Sequence, residues 1–194
     1  MKRCDWVSGN IHEKYHDTEW GVPLHNDRKL FEFLILDGMQ SGLSWKIILN
    51  KRKSFQNAFD RFDPIKISKY SKDDVDRLMK DSGIVRNRRK IESAINNAKK
   101  FLETRKEFGK FDSYIWSFTD CKTITNRFKK WEEIPATSEE SENMSRDLKA
   151  RGFTFVGPTV CYAYMQTIGM VNDHVIGCFR KKEIEETESS RSEF

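Results

Sequence analysis

The sequence predicts an all-α fold, and three observations carry that prediction. Apolar residues recur at helical spacing, the stretches that carry them open on Asp or Ser and close on Gly, and the period-two alternation of half-buried strands is scarce. The chain of 194 residues is long enough for one substantial core and leaves no room for a second catalytic domain.

Taken in order, DRKLFEFLILDGM reads as a buried helix, with Asp27 as N-cap, Leu30, Phe31, Leu34 and Ile35 on its inner face, and Gly38 at its end. A second helix starts at Ser44 and points Trp45, Ile48, Leu49, Phe55 and Phe59 inward, with Pro64 closing the excursion. Ser71 and Asp74 form a capping box for a short helix through Met79, broken at Gly83. Arg86, Arg88, Arg89 and Lys90 open a longer helix to about Leu102. SEESENMSRDLKARG is a capped helix ending at Gly152, and after the turn Val156-Gly157-Pro158 another helix runs from Thr159 to about Ile168. Residues 181–194, charged and Ser-rich, are expected to form a disordered tail.

A net charge of +5 together with 12% aromatic residues suits an anionic partner with stackable bases, although that charge alone is ordinary for a soluble protein. No run approaches the ~20 apolar residues of a membrane span, and MKRCDWVSGN has no apolar signal-peptide core, so a soluble cytoplasmic protein is expected.

Four cysteines at 4, 121, 161 and 178 lack the regular spacing of a secreted disulfide scaffold. His174 and Cys178 are four apart and would share one face of a helix; Cys4 and His16 supply a second pair. Together they make the closed Cys₂His₂ set of a structural zinc site, while the spacing fits buried cysteines equally well. Cys121 and Cys161 read as core residues. Trp6, Tyr15, Trp20 and Trp45 crowd the first 45 residues near Asp37. They read either as core or as the wall of a pocket that stacks a flat cationic base, with Asp37 as a partly buried carboxylate in need of a positive partner. The loop at Gly157, Pro158 and Thr159 is either a plain corner or the phosphate-binding turn between two helices.

Several stretches, in this order, resemble the bacterial DNA-3-methyladenine glycosylase I family: RCDWV, YHDTEWGVP at 15–23, LFEFLILDGMQSGLSW at 30–45, SGIVRNRRKI at 82–91, IWSF at 115–118 and RGFTFVGPTVCYAYMQTIGMVNDHVIGC at 151–178. The resemblance spans Met1 to about Phe179. It implies a helix-hairpin-helix glycosylase domain over 1–180, with the hairpin at about 145–169 and a zinc lobe from about 1–25 and 170–180 joining the termini. It also implies Zn²⁺ held structurally by Cys4, His16, His174 and Cys178.

The implied activity is base-excision repair of double-stranded DNA containing alkylated purines: a flipped 3-methyladenine is released by hydrolysis of its N-glycosidic bond, leaving an abasic site without strand cleavage. A monomer working in the bacterial cytoplasm at the nucleoid is expected. The superfamily's usual catalytic Asp falls on Asn172, as this branch of the family has it, which leaves Asp173 as local structural support. The family's base-recognising carboxylate falls on Asp37, where Glu is usual. Asp37 is therefore the expected catalytic residue, with Tyr15 and Trp45 sandwiching the base, and Trp6 and Trp20 lining the pocket. Leu43 is the expected wedge into the vacated stack, or else a packing residue, and Gly157, Pro158 and Thr159 the expected phosphate contacts. The shortened acid leaves one alternative from another class, a non-catalytic protein that binds alkylation damage. A zinc-dependent hydrolase would need an open coordination position, which four protein ligands do not leave.

Overall fold

The computed structural model describes residues 1–191, with side chains through 187. Among these residues the chain is a helical assembly: α1 (Asn10–Thr18), α2 (Asp27–Gln40), α3 (Trp45–Ala58), α4 (Pro64–Ile67), α5 (Lys72–Lys80), α6 (Arg88–Phe108), α7 (Phe111–Trp116), α8 (Glu139–Ala150), α9 (Pro158–Thr167) and α10 (Phe179–Arg191). The exception is one parallel bridge, β1 (Ile124–Thr125) with β2 (Val171–Asn172), which pins the loop after α7 to the segment after α9. No helix of the described residues is long and apolar enough to cross a membrane.

The central element is α2, which packs against α3, α6, α7 and α9. Nine of its residues are buried, including Leu30, Phe31, Leu34 and Ile35, as an apolar helix of this composition requires. Its N-cap is Asn26 rather than Asp27: the Asn26 side chain accepts from the Lys29 N–H. Asp27 instead accepts from the backbone N–H groups of Phe111 and Asp112 and so holds the start of α7 against α2. Nor does α2 stop at Gly38. It runs to Gln40, where the largely buried Lys90 donates to the Met39 and Ser41 carbonyls at 2.7 and 2.5 Å, a cation on a helix C-terminus.

Other boundaries differ for equally local reasons. Pro64 begins a helix instead of ending one, because Asp63 caps the N–H groups of Ile65 and Lys66 and proline suits the first helical position. The capping box of Ser71 and Asp74 forms as expected. The helix at Arg88 reaches Phe108, beyond the expected Leu102.

The expectation of a disordered tail over 181–194 is overturned as far as residue 191, since Phe179–Arg191 is helical; residues 192–194 lie outside the described residues. Composition misled because two positions anchor this helix. Ile184 is buried over Gly21 beside His174, and Lys181 is buried with its ammonium on the Asn126 carbonyl. Arg180 pairs with Glu183 one turn on.

The segment 19–24 crosses close over the end of α9, with Gly21 N–H donating to the Gln166 carbonyl and Leu24 N–H to that of Ile168. This approach depends on Gly169, at φ +77: a Cβ there would stand 2.3 Å from the Val22 carbonyl carbon.

Candidate active site

The sequence brings the ends of four helices to one cavity of about 310 Å³. Trp6 comes from the N-terminal turn, His12 and Tyr15 from α1, Asp37 and Gln40 from the end of α2, Ser44, Trp45 and Lys46 from the start of α3, and Gln166 and Thr167 from the end of α9. Trp20 and Trp131 complete the wall. All five expected pocket residues, Asp37, Tyr15, Trp45, Trp6 and Trp20, therefore line a single space.

Asp37 is 2% exposed, and its Oδ2 has no hydrogen-bond partner among the described residues. Burial alone pushes its carboxyl well above the ordinary carboxylate range. Tyr15 is buried beside it and donates to Thr167 Oγ1 at 3.2 Å, which fixes the phenol ring. Burial, and then the nearby Asp37, raise the Tyr15 hydroxyl, so it stays a neutral donor.

Three further buried polar atoms in this wall are also unpartnered: Trp6 Nε1, Trp45 Nε1 and His12 Nε2. A buried polar group without a partner is destabilising, and four of the five such atoms in the described structure converge on one aromatic cavity. The arrangement is built to be completed by a flat ligand that carries both donors and acceptors.

The expected sandwich of Tyr15 and Trp45 is not present. Their centroids are 5.5 Å apart and the planes tilt by 53°, whereas a base stacked between two faces needs them parallel and about 7 Å apart. The two rings touch each other, and a base entering between them must part them. Trp6 is the hub of the remaining aromatics, lying 5.2 Å from Trp20 and 5.9 Å from Trp131 by centroid.

Leu43 sits in the turn between α2 and α3, half-buried and outside the packed core, held by the Gln40 side chain on its carbonyl. Gly157, Pro158 and Thr159 form the start of α9, with nothing within 4 Å of the position a Gly157 Cβ would take. That backbone is accessible to a large anionic partner.

The four expected metal ligands meet behind the Trp6–Trp20 wall. Cys4, His16, His174 and Cys178 are all buried, with one ligand atom of each lying within 4.8 Å of the others. Cys4 Sγ is 3.6 Å from His174 Nδ1, and Cys178 Sγ is 3.4 Å from both His16 Nε2 and His174 Nδ1. A tetrahedral zinc ion with ordinary Zn–S and Zn–N bonds separates its S and N ligands by about 3.5 Å. The other ring nitrogens are engaged as metal-bound imidazoles require: His16 Nδ1 faces Asp17 Oδ1 at 2.8 Å, and His174 Nε2 donates to the Trp20 carbonyl at 3.1 Å. Because a carbonyl only accepts, His174 Nε2 carries its hydrogen and Nδ1 turns a lone pair to the thiols. The donor set therefore fits zinc. His174 and Cys178 do so from a turn, not from the shared helix face expected of their spacing.

Asn172 and Asp173 are both buried. Asn172 accepts from the His174 N–H, and Asp173 accepts from Asn126 at Oδ1 and from Tyr162 and Gln166 at Oδ2, so both of its oxygens are hydrogen-bonded. Of the remaining cysteines, Cys161 is buried as expected, but Cys121 is exposed in a left-handed turn and is no core residue. Sequence reasoning missed His12, Trp131, Gln166 and Thr167. Only the aromatic character of Trp131 gave any signal, and nothing local tied it to residues more than a hundred positions earlier.

A family model described as methyladenine glycosylase matches residues 6–181. The chain is 44% identical to DNA-3-methyladenine glycosylase 1 of Escherichia coli (strain K12) over 179 residues, 92% of this chain and 96% of that protein. It is 45% identical to DNA-3-methyladenine glycosylase of Haemophilus influenzae over 177 residues, covering 91% and 96%. A crystal structure of 3-methyladenine DNA glycosylase I superposes with a TM-score of 0.90 at 44% identity, covering 92% of this chain and 98% of that one. The Staphylococcus aureus enzyme, solved to explain its recognition of 3-methyladenine, superposes at 0.89 and 31% identity, covering 93% and 97%. With its helical architecture, its aromatic cavity and these relatives in agreement, the chain belongs to the methyladenine glycosylase family.

Proposed function

We propose that this protein excises 3-methyladenine from alkylated double-stranded DNA by hydrolysing the N-glycosidic bond. The observation that carries the reading is the cavity itself: aromatic faces surrounding four unpartnered buried polar atoms, one of them the carboxylate of Asp37. In DNA a 3-alkylated adenine is cationic. It offers Asp37 the counter-charge that burial denies it, and offers the indole and phenol faces a cation to hold. A normal adenine offers neither, so selection rests on charge.

The extruded base displaces the contact between Tyr15 and Trp45 and stacks on both rings, with Trp6 and Trp20 behind it. Leu43 fills the vacated stack, and the N–H groups of Thr159 and its neighbours at the start of α9, after Gly157 and Pro158, meet phosphates; α8, its loop and α9 form the helix-hairpin-helix element. Water attacks C1′ as the C1′–N9 bond breaks, the bonding electrons neutralise the departing base, and the water's proton passes to solvent. The positive charge on the base has already weakened that bond, so the pocket contributes orientation and electrostatic stabilisation. With water as the nucleophile and no Schiff-base intermediate, the enzyme is monofunctional. One chain carries the whole pocket, so a monomer suffices. Zn²⁺ held by Cys4, His16, His174 and Cys178 acts structurally, tying the segment that carries Trp6 to the one that follows α9.

Release of 3-methyladenine from methylated duplex DNA tests the reading. The native chain is expected to release the base, Asp37→Asn and Tyr15→Ala to be slowed by roughly ten- to a hundredfold, and Asp37→Glu to keep activity. Tight binding of damaged duplex with no released base at any salt would instead establish a non-catalytic damage sensor.

A further inference from the structure

We propose that Lys129, Lys130 and Trp131 form a second DNA-contacting element at the mouth of the pocket, with Trp131 closing over the extruded nucleotide and the two lysines on its flanking phosphates. The inference rests on the glycosylase reading of the cavity. Trp131 is one of few large apolar side chains left open, 37% exposed, although it lines the cavity and lies 5.9 Å from Trp6 and 6.2 Å from Trp20. A ring that is half wall and half surface offers its free area to whatever enters or covers the cavity, and a nucleobase is the flat partner that such a ring stacks on.

Lys129 and Lys130 are exposed, and neither forms an ion pair among the described residues, whereas many of the other cations do. The two acids that follow, Glu132 and Glu133, form no ion pair with them among the described residues, and Glu133 turns back to accept the Lys129 backbone N–H at 2.7 Å. The two ammonium groups thus precede the cavity's outer ring with no ion-pair partner among the described residues, which leaves them available for phosphate contacts.

The segment is also held in place, which a docking element requires. Asn126 N–H donates to the Asn172 carbonyl and the Asn126 side chain to Asp173, while the Phe128 carbonyl accepts from Ile176 N–H at 2.8 Å. It is thereby fastened to the turn that carries His174 and Cys178. The exposed Lys46 also lines the cavity.

The test uses the full chain and duplex DNA carrying a stable abasic analogue, with dissociation constants measured across salt, alongside binding of free 3-methyladenine by intrinsic fluorescence. Lys129→Ser/Lys130→Ser is expected to weaken DNA binding roughly tenfold near 0.1 M salt and to reduce the slope of log K against log salt by about two, while the free base binds as before. Trp131→Ala is expected to weaken both DNA and free-base binding by roughly fivefold or more. An unchanged salt slope in the lysine variant, or unchanged binding of both ligands in the Trp131→Ala variant, overturns the inference. Failure of the native chain to release base would overturn the proposed function instead, since the DNA and free-base affinities are read without turnover.

Discussion

Asp37 places a carboxylate where no described residue partners its Oδ2, and a cost to stability is expected. Its carboxyl is raised in the folded state above the ordinary value of 3.8. Below that pH it is protonated whether the chain is folded or not, and no penalty exists. As pH rises the unfolded chain ionises first, and stability falls until the folded value is passed. Asp37→Asn should therefore be the more stable protein at neutral pH, with an advantage growing by about 1.4 kcal/mol per pH unit inside that window. Urea unfolding of both proteins from pH 4 to 7 reads this directly; parallel stability curves would show that Asp37 is not penalised. The same residue shows what the sequence made legible. Its burial followed from the apolar helix around it, and its company of Tyr15, Trp6, Trp20 and Trp45 from their crowding near the N-terminus. The tilt between Tyr15 and Trp45 did not follow, because ring angles are set by packing across elements.

At the scale of elements, helices with a capping side chain were legible from their first residue, as at Ser71 and Ser138. Those that depend on distant partners were not. The α1 helix, polar over most of its length, went unread because His12, Tyr15 and His16 are buried by other elements rather than by a face of its own. The α10 helix was mistaken for a tail because one isoleucine and one lysine stem anchor it. Ile184→Ala should cost about 2–4 kcal/mol in chemical denaturation, where a disordered tail would cost nothing.

For the whole molecule, the Cys₂His₂ cluster joins positions 4 and 16 to 174 and 178, and its composition was legible before its geometry. Metal analysis should find one zinc per chain. Chelation under mildly denaturing conditions, or Cys178→Ser, should lower the melting temperature by ten degrees or more for a domain of this size, on the order of several kcal/mol of lost binding. Base release measured well below the melting temperature should survive better than stability does, because no zinc ligand lines the cavity. Loss of both in step would assign the cluster a direct catalytic part.

The parting of those four residues in sequence also governs how the molecule is made. Tyr15 and Trp20 leave the ribosome early, yet the partners that seat them, Thr167 and His174, are translated about 150 residues later. At the usual pace of synthesis that is a wait of roughly ten seconds or more. During it the N-terminal aromatics lack the cover of α9, so the pocket cannot close until Gln166 and Thr167 have been made.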